Sequence, residues 1–403
     1  MLTVGIVANE PSGDVLGASL VRELKALVPE SRFVGVAGPQ MQAAGCETLI
    51  PMERLSVMGL VEVLRHLGEL LRIRKRLLRH FLGLRPDVLI GVDAPDFNLG
   101  LERRLRAAGI PTVHLVSPTV WAWRPGRVKA IRRAVDLMLS IFPFEEAFLR
   151  AHGVPVRYVG HPLADQIPLE VSAAEARSAL GLPATGEVIA ILPGSRVSEV
   201  RALGASFLQT ARWCAARRPG LRFAVPLVTP TLRAMFEEVQ AEEAPDLPMT
   251  LVDGRGREVI AAADCVLTAS GTATLETLLI GRPMVVGYRV SGLTYHLVKG
   301  LNLVKVPHIA MANLLAGRAL APELIQSRCR PDLLGPELLA FLDDPERVAA
   351  IRAEYQAVHR HLRRNAAAQA AEAVLALIGH QRPPQAQSAG PDSLQGRSGT
   401  QGL

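Results

Sequence analysis

Two acids and three glycine-opened turns carry the chemistry this sequence could do. Asp93 ends the apolar stretch of Val88-Leu-Ile-Gly-Val-Asp-Ala-Pro-Asp-Phe-Asn98, which reads as a buried strand running into a proline-stiffened turn. A carboxylate held partly out of water there has a raised pKa and can accept a proton at neutral pH. Glu10 stands in the corresponding place after the first apolar run, in Val7-Ala-Asn-Glu-Pro-Ser-Gly-Asp14. An acid at the carboxyl end of a strand in an open sheet lies where ligands bind. Ser12, Asp14, Asp96 and Asn98 have a plainer reading, as caps of the helices beside them.

The turns point to phosphate. Ala269-Ser-Gly-Thr-Ala-Thr-Leu-Glu276 follows the apolar run Asp264–Thr268 and enters an apolar helix that stops at Gly281-Arg-Pro283. At such a strand-to-helix turn, the glycine, Gly271, permits close approach, threonines cap the first turn, and the free N–H groups at the positive end of the helix dipole suit a phosphate. Glu276, one turn further in, suits a sugar hydroxyl better than a phosphate. Pro193-Gly-Ser-Arg196 offers backbone N–H groups at Gly194, the Ser195 hydroxyl and the Arg196 guanidinium, a clamp for a diphosphate. Asp253-Gly-Arg-Gly-Arg257 opens at Gly254, where a flat base could approach the backbone. Each turn alone could be an ordinary capped helix; three on one half favour a nucleotide pocket. The dinucleotide fingerprint and the P-loop pattern are both missing, which disfavours an NAD enzyme or an ATPase.

These residues need a scaffold, and the hydrophobic pattern supplies one. Short apolar runs at Thr3–Ala8, Arg32–Ala37, Val88–Val92, Thr112–Val116, Leu137–Ile141 and Arg157–Val159 alternate with stretches of helical periodicity. The pattern restarts near Val188, with strands expected at Val188–Leu192, Arg222–Pro226, Met249–Val252, Cys265–Thr268 and Met284–Gly287. Alternation of this kind predicts an α/β chain of two doubly wound, Rossmann-like domains with parallel sheets, facing one cleft. The expected division is residues 1–165, residues 166–345, C-terminal helices over 346–380, and a Gln-, Ser-, Gly- and Pro-rich tail over 381–403 too poor in apolar residues to order.

Two further segments stand out. Ser117-Pro-Thr-Val-Trp-Ala-Trp-Arg-Pro-Gly126 places Trp121 and Arg124 in a loop at a strand end, a plausible cleft wall for sugar or lipid. Residues 57–82 combine Val61, Leu64, Leu67 and Leu71 with Arg72 and Arg76 among other cations, a pattern that can lie in a bilayer interface. A helix packed on a sheet with a solvated basic face is the simpler alternative.

Bulk properties narrow the class. A chain of 403 residues favours two domains, and 49% hydrophobic with 21% charged residues is globular. The formal charge of +7 suits an anionic partner, but 4% aromatic residues and the lack of any zinc-finger or RNA-recognition signature argue against nucleic acid. No apolar run approaches the ~20 residues of a membrane span, and the N-terminus enters a strand without a signal peptide, pointing to a cytoplasmic protein. Cys46, Cys214, Cys265 and Cys329 are scattered, and His114, His161 and His308 stand alone, so no metal is expected.

With these residues in hand, the sequence resembles the lipid-A-disaccharide synthase family. The resemblance rests on Ser12-Gly-Asp14, Phe33–Pro39, Val57–Val63, Asp93-Ala-Pro-Asp-Phe-Asn98, Ser117–Trp123, Gly160-His161, Leu192-Pro-Gly-Ser-Arg196, Ala269-Ser-Gly-Thr-Ala273, Pro283–Tyr288 and Asn313–Arg318. It implies the GT-B glycosyltransferase fold and an inverting, metal-independent transfer with no cofactor, joining UDP-2,3-diacylglucosamine to 2,3-diacylglucosamine 1-phosphate (lipid X). The products would be a β-1,6-linked disaccharide 1-phosphate and UDP. On this resemblance the second domain holds the donor through Ser195, Arg196, Thr272, Ala273, Glu276 and Asn313. The first holds the acceptor, with Asp93 as base, Glu10 next, and Ser12, Asp14, Trp121 and Arg124 nearby. It further implies peripheral attachment to the cytoplasmic face of the inner membrane, C-terminal helices crossing back to the first domain, and a homodimer. The family usually has Gly-Glu-Ala where this chain has Asn9-Glu10-Pro11; Glu10 is kept and its neighbours stiffen the loop. A UDP-sugar epimerase of the same fold and a non-catalytic membrane-surface protein are the competing readings.

Overall fold

The computed structural model describes residues 1–55, 60–121, 125–290 and 308–379, without the side chains of 60–65 and 125. The tail over 381–403 and Arg124 therefore lie outside the described residues.

Two parallel sheets organise the chain. The first contains β1 (Thr3–Ala8), β2 (Arg32–Val36), β3 (Cys46–Thr48), β4 (Val88–Val92), β5 (Thr112–Leu115), β6 (Leu137–Ser140) and β7 (Val156–Tyr158), in the order β3-β2-β1-β4-β5-β6-β7. The second contains β8 (Val188–Leu192), β9 (Arg222–Leu227), β10 (Met249–Asp253), β11 (Cys265–Thr268), β12 (Met284–Tyr288) and β13 (Glu323–Ile325), ordered β10-β9-β8-β11-β12-β13. Helices cover both faces, so central strands such as β4, β8 and β11 are buried throughout and read as unbroken apolar runs. In each sheet the strand order reverses once, between β1 and β4 and between β8 and β11. Such switch points open a crevice at the carboxyl ends of the strands, where ligands of doubly wound folds bind.

The strands read from sequence agree within about a residue at each end, the usual uncertainty of element boundaries. The two missed strands, β3 and β13, are three-residue edge strands, too short to show a period. Several short helices were missed for the same reason, among them Pro39–Ala43, Pro162–Gln166 and Met311–Ala316.

Each sheet has its own core, and the chain crosses between them twice. Val159 belongs to the first core and Ala164 and Ile167 to the second; on the return, Leu362 belongs to the second and Ala366 to the first. The crossings lie side by side. The His161 N–H donates to the Leu362 carbonyl (2.9 Å), and the Asp165 carboxylate accepts from the N–H groups of Asn365 (2.8 Å) and Ala366 (2.6 Å). Gly160, at φ 96°, is needed here because a Cβ would run into the Leu362 carbonyl and Arg364. The C-terminal helices therefore divide. Ala366–Leu377 packs its alanine-rich face on the first core, whereas Pro345–Leu362 stays with the second through Ile351, Tyr355 and Leu362. Only the last helix crosses back, a correction to the expectation that both would.

Candidate active site

Ala8 of β1 pairs in register with Val92 of β4, so Glu10 and Asp93 leave adjacent strands at the first switch point. Asp93 (φ 51°) and Ala94 (φ 43°) are consecutive left-handed residues, neither of them glycine. That conformation costs roughly 1–2 kcal/mol per residue, and strain of this kind concentrates at functional sites. The surroundings hold it in place. The Asp93 N–H donates to the Leu115 carbonyl (2.9 Å), and the buried Asn98 amide donates to the Asp93 carbonyl (2.8 Å), with the carbonyls of Val92 (3.3 Å) and Val7 (3.4 Å) also in range. Asn98 thus ties the ends of β1 and β4 together rather than capping a helix. Asp96 caps nothing either; it is exposed and pairs with Arg127. Glu10 occupies the N-cap of the helix Pro11–Leu27 without accepting a capping bond, and stays half-buried at the mouth of the crevice.

Asp14 has a different role from the one expected. It is 2% exposed and accepts from the N–H groups of Gln40 (2.8 Å) and Met41 (3.0 Å), capping the helix Pro39–Ala43. Its carboxylate is engaged in holding that loop, and Asp14 is withdrawn from the acceptor side. Ser12, two residues earlier, is exposed.

Trp121 forms part of an aromatic wall. Its indole N–H donates to Glu145 (3.2 Å), whose other oxygen accepts from the Phe142 N–H (3.2 Å), and its ring meets Phe144 edge-on at 4.6 Å. Phe142 stacks on Phe144 at 5.5 Å and lies 5.0 Å from His161. Burial pushes the Glu145 carboxyl up to about 8, outweighing the N–H groups that favour its charged form. Burial pushes His161 down to about 4. Both are therefore uncharged at neutral pH. The stability Glu145 contributes is complete only below the ordinary carboxylate pKa of 4.5 and declines steadily as pH rises from there through about 8.

His114 does not stand alone. It lies fully buried with Nδ1 2.7 Å from Glu102, whose pKa burial raises. Twelve residues of separation between a helix and a strand hid this pair from any spacing rule. Among the described residues no group of three potential ligands could hold a metal ion.

On the second sheet, Leu192 pairs with Thr268, so Pro193–Arg196 and Ala269–Gly271 emerge together at the second switch point. A cavity of about 800 Å³ is lined by Gly194, Ser195, Arg196, Gly254, Gly271, Thr272, Ala273 and Glu276, bringing the three turns into one pocket. The turns are not equivalent. Gly271 (φ 140°) leads into the helix Thr272–Ile280, whose first turn no side chain caps. At Pro193–Arg196 the Glu199 carboxylate accepts from the N–H groups of Ser195 (2.9 Å) and Arg196 (3.3 Å). The backbone donors of Ser195 and Arg196 are thus satisfied within the chain, whereas Gly194, the Ser195 hydroxyl and the exposed Arg196 guanidinium still line the pocket. A glutamate three residues past a helix N-cap is a visible signal for this arrangement. Glu276 pairs with Arg257 beside the Gly254 loop (2.9 Å), a link that a separation of nineteen positions concealed.

The Asn313 side chain, expected on the donor side, is engaged within the chain. It is fully buried; its amide donates to the Ala321 carbonyl and Glu323 (both 2.8 Å), and its oxygen accepts from Leu320 N (2.7 Å) and Ala321 N (2.8 Å). That exhausts a carboxamide's capacity. Asn313 braces the segment that touches the donor turn: Ser270 Oγ donates to the Ile309 carbonyl and Met311 N–H to Thr274 Oγ1, each at 3.1 Å.

The helix Leu60–Leu84 shows two faces where its side chains are described. Ile73, Leu77 and Phe81 are buried in the first core, whereas Leu67 and Leu71 are 44% and 46% exposed beside exposed Arg72 and Arg76. The side chains of Val61 and Leu64 lie outside the described residues.

Comparison with known proteins then decides the family. The profile of the lipid-A-disaccharide synthetase family matches residues 4–378. The chain belongs to this family. A lipid-A-disaccharide synthase of Pseudomonas aeruginosa is 56% identical over 377 residues, covering 94% of this chain and 98% of the relative. Among solved structures, the UDP-GlcNAc 2-epimerase of Neisseria meningitidis bound to UDP-GlcNAc superposes with a TM-score of 0.58 at 12% identity, covering 94% of this chain and all of that one (100%). The glycotransferase of kitacinnamycin gives 0.59 at 17%, covering 93% and 98%. These distant structures establish the GT-B fold, with its two parallel-sheet domains. Family membership makes the chain a glycosyltransferase of lipid A biosynthesis.

Proposed function

We propose that the chain joins UDP-2,3-diacylglucosamine to lipid X, forming the β-1,6-linked disaccharide 1-phosphate and UDP. Asp93 takes the proton from the acceptor 6-hydroxyl as its oxygen attacks the anomeric carbon from the face opposite UDP, inverting that centre. The leaving diphosphate is received by the uncapped N-terminus of Thr272–Ile280, the Ser195 hydroxyl and Arg196, preorganised donors that match the charge as it develops. Glu276, steadied by Arg257, accepts from the ribose hydroxyls. Glu10 and Ser12 bind the acceptor. The observation that carries this reading is the pairing of chemistries at the two switch points: a strained acid on one sheet, an uncapped helix start on the other.

The test is direct. Purified protein given both substrates should release UDP and disaccharide in equal amounts, with or without chelator. UDP release or sugar epimerisation from the donor alone would overturn the reading.

No helix among the described residues is long and apolar enough to cross a membrane. Leu67 and Leu71, with Arg72 and Arg76, support peripheral attachment to the anionic cytoplasmic face of the inner membrane. Replacing Val61, Leu64 and Leu71 with serine should release the protein from anionic vesicles in co-sedimentation while soluble UDP binding persists. Undiminished sedimentation would remove this helix as the anchor.

A further inference from the structure

A second cavity, of about 310 Å³, lies between Trp121, Phe144 and Phe148 of the first domain and His308, Asn313, Leu314 and Gly317 of the second. Its chemistry differs from that of the nucleotide pocket. Three aromatic rings and a leucine supply the walls, and its carboxamide, Asn313, has every hydrogen-bonding position engaged elsewhere. A sugar or phosphate would find few polar groups to replace its water, and their loss would be costly. Behind the rings, Glu145 and His161 are buried, and burial favours the uncharged form of each.

The cavity's second-domain wall is also hydrogen-bonded to the donor turn. That wall begins at His308, and the next residue, Ile309, accepts a hydrogen bond from Ser270 of the donor turn (3.1 Å). Met311 is bonded to Thr274 of the same helix start (3.1 Å). The donor turn and the aromatic-walled cavity therefore share one bonded segment, and a donor sugar acylated close to its anomeric carbon would carry a chain beside it.

We propose that this cavity receives an acyl chain of the donor sugar; the inference rests on the transfer reaction given above. Residues of both domains then close on one chain, and the cavity reads acyl length, since one methylene more or less in an apolar pocket changes selectivity by about 10–200-fold.

The experiment compares wild type with Leu314→Trp, which fills the cavity, and Phe148→Ala, which enlarges it. Leu314→Trp should raise KM for the long-chain donor by roughly tenfold or more, leave UDP affinity and acceptor KM unchanged, and recover with a shorter-chain donor. Phe148→Ala should move the preferred donor toward longer chains. Unchanged donor-chain preference in both variants, or a shift in acceptor preference instead, overturns the proposal. Wild-type turnover with both substrates, measured alongside, separates that outcome from a failure of the transfer reading itself. UDP binding by each variant reports that it is folded.

Discussion

Asp93→Asn is expected to lower kcat by about 10²–10⁴, the usual worth of a general base, while UDP binds as in wild type. Asparagine suits this test because the backbone at Asp93 is left-handed, a conformation that asparagine adopts more readily than most residues. The bonds holding the turn, from the Asp93 N–H to Leu115 and from the Asn98 amide to the Asp93 carbonyl, are main-chain contacts that survive the change. The variant removes a proton acceptor and little else. Alanine would mix lost chemistry with added backbone strain. Steady-state kinetics with both substrates, beside calorimetric UDP binding, read the two effects apart. Glu10→Gln should act mainly on acceptor KM; a larger kcat loss from Glu10→Gln than from Asp93→Asn would exchange their roles.

The positions of these acids were legible because the sequence shows strand ends directly: apolar runs stop, and the next polar residue is at the crevice. Fold class and the donor turns followed from the same punctuation. What stayed hidden was which polar groups the fold had already engaged. Asp14 looks as available as Glu10 in the sequence, yet it is buried under Gln40 and Met41 from a helix 26 residues on. Asn313 carries no mark of its bonds to Leu320, Ala321 and Glu323. Glu102 and His114 meet only because a helix lies across β5. Long-range pairing is set by tertiary packing, to which local propensity is indifferent. Glu199 is closer in sequence: three residues past Arg196 it takes two of the loop's N–H groups, so an apparent phosphate clamp is in part a closed one.

That closure makes Arg196 the second decisive residue. Arg196→Ala should lower kcat/KM for the donor by about 10²–10³, the range for loss of one preorganised donor to a developing negative charge. With Glu199 on the N–H groups of Ser195 and Arg196, the loop's help to the leaving diphosphate would come mainly from the guanidinium, and the remainder from the Thr272–Ile280 helix start. The side chain is 69% exposed, and its ion pair to Glu199 at 3.5 Å is of the surface kind that contributes little to stability. A large activity loss with an unchanged melting temperature is therefore the expected pattern. Lysine should restore only part of the rate, since it lacks the planar fork that matches two phosphate oxygens. UDP itself should bind less tightly by a smaller factor, because the ground-state diphosphate still has the helix dipole. Equal losses in UDP affinity and in kcat/KM would instead make Arg196 a uniform binding residue, and the charge of the departing UDP would rest on the helix start alone.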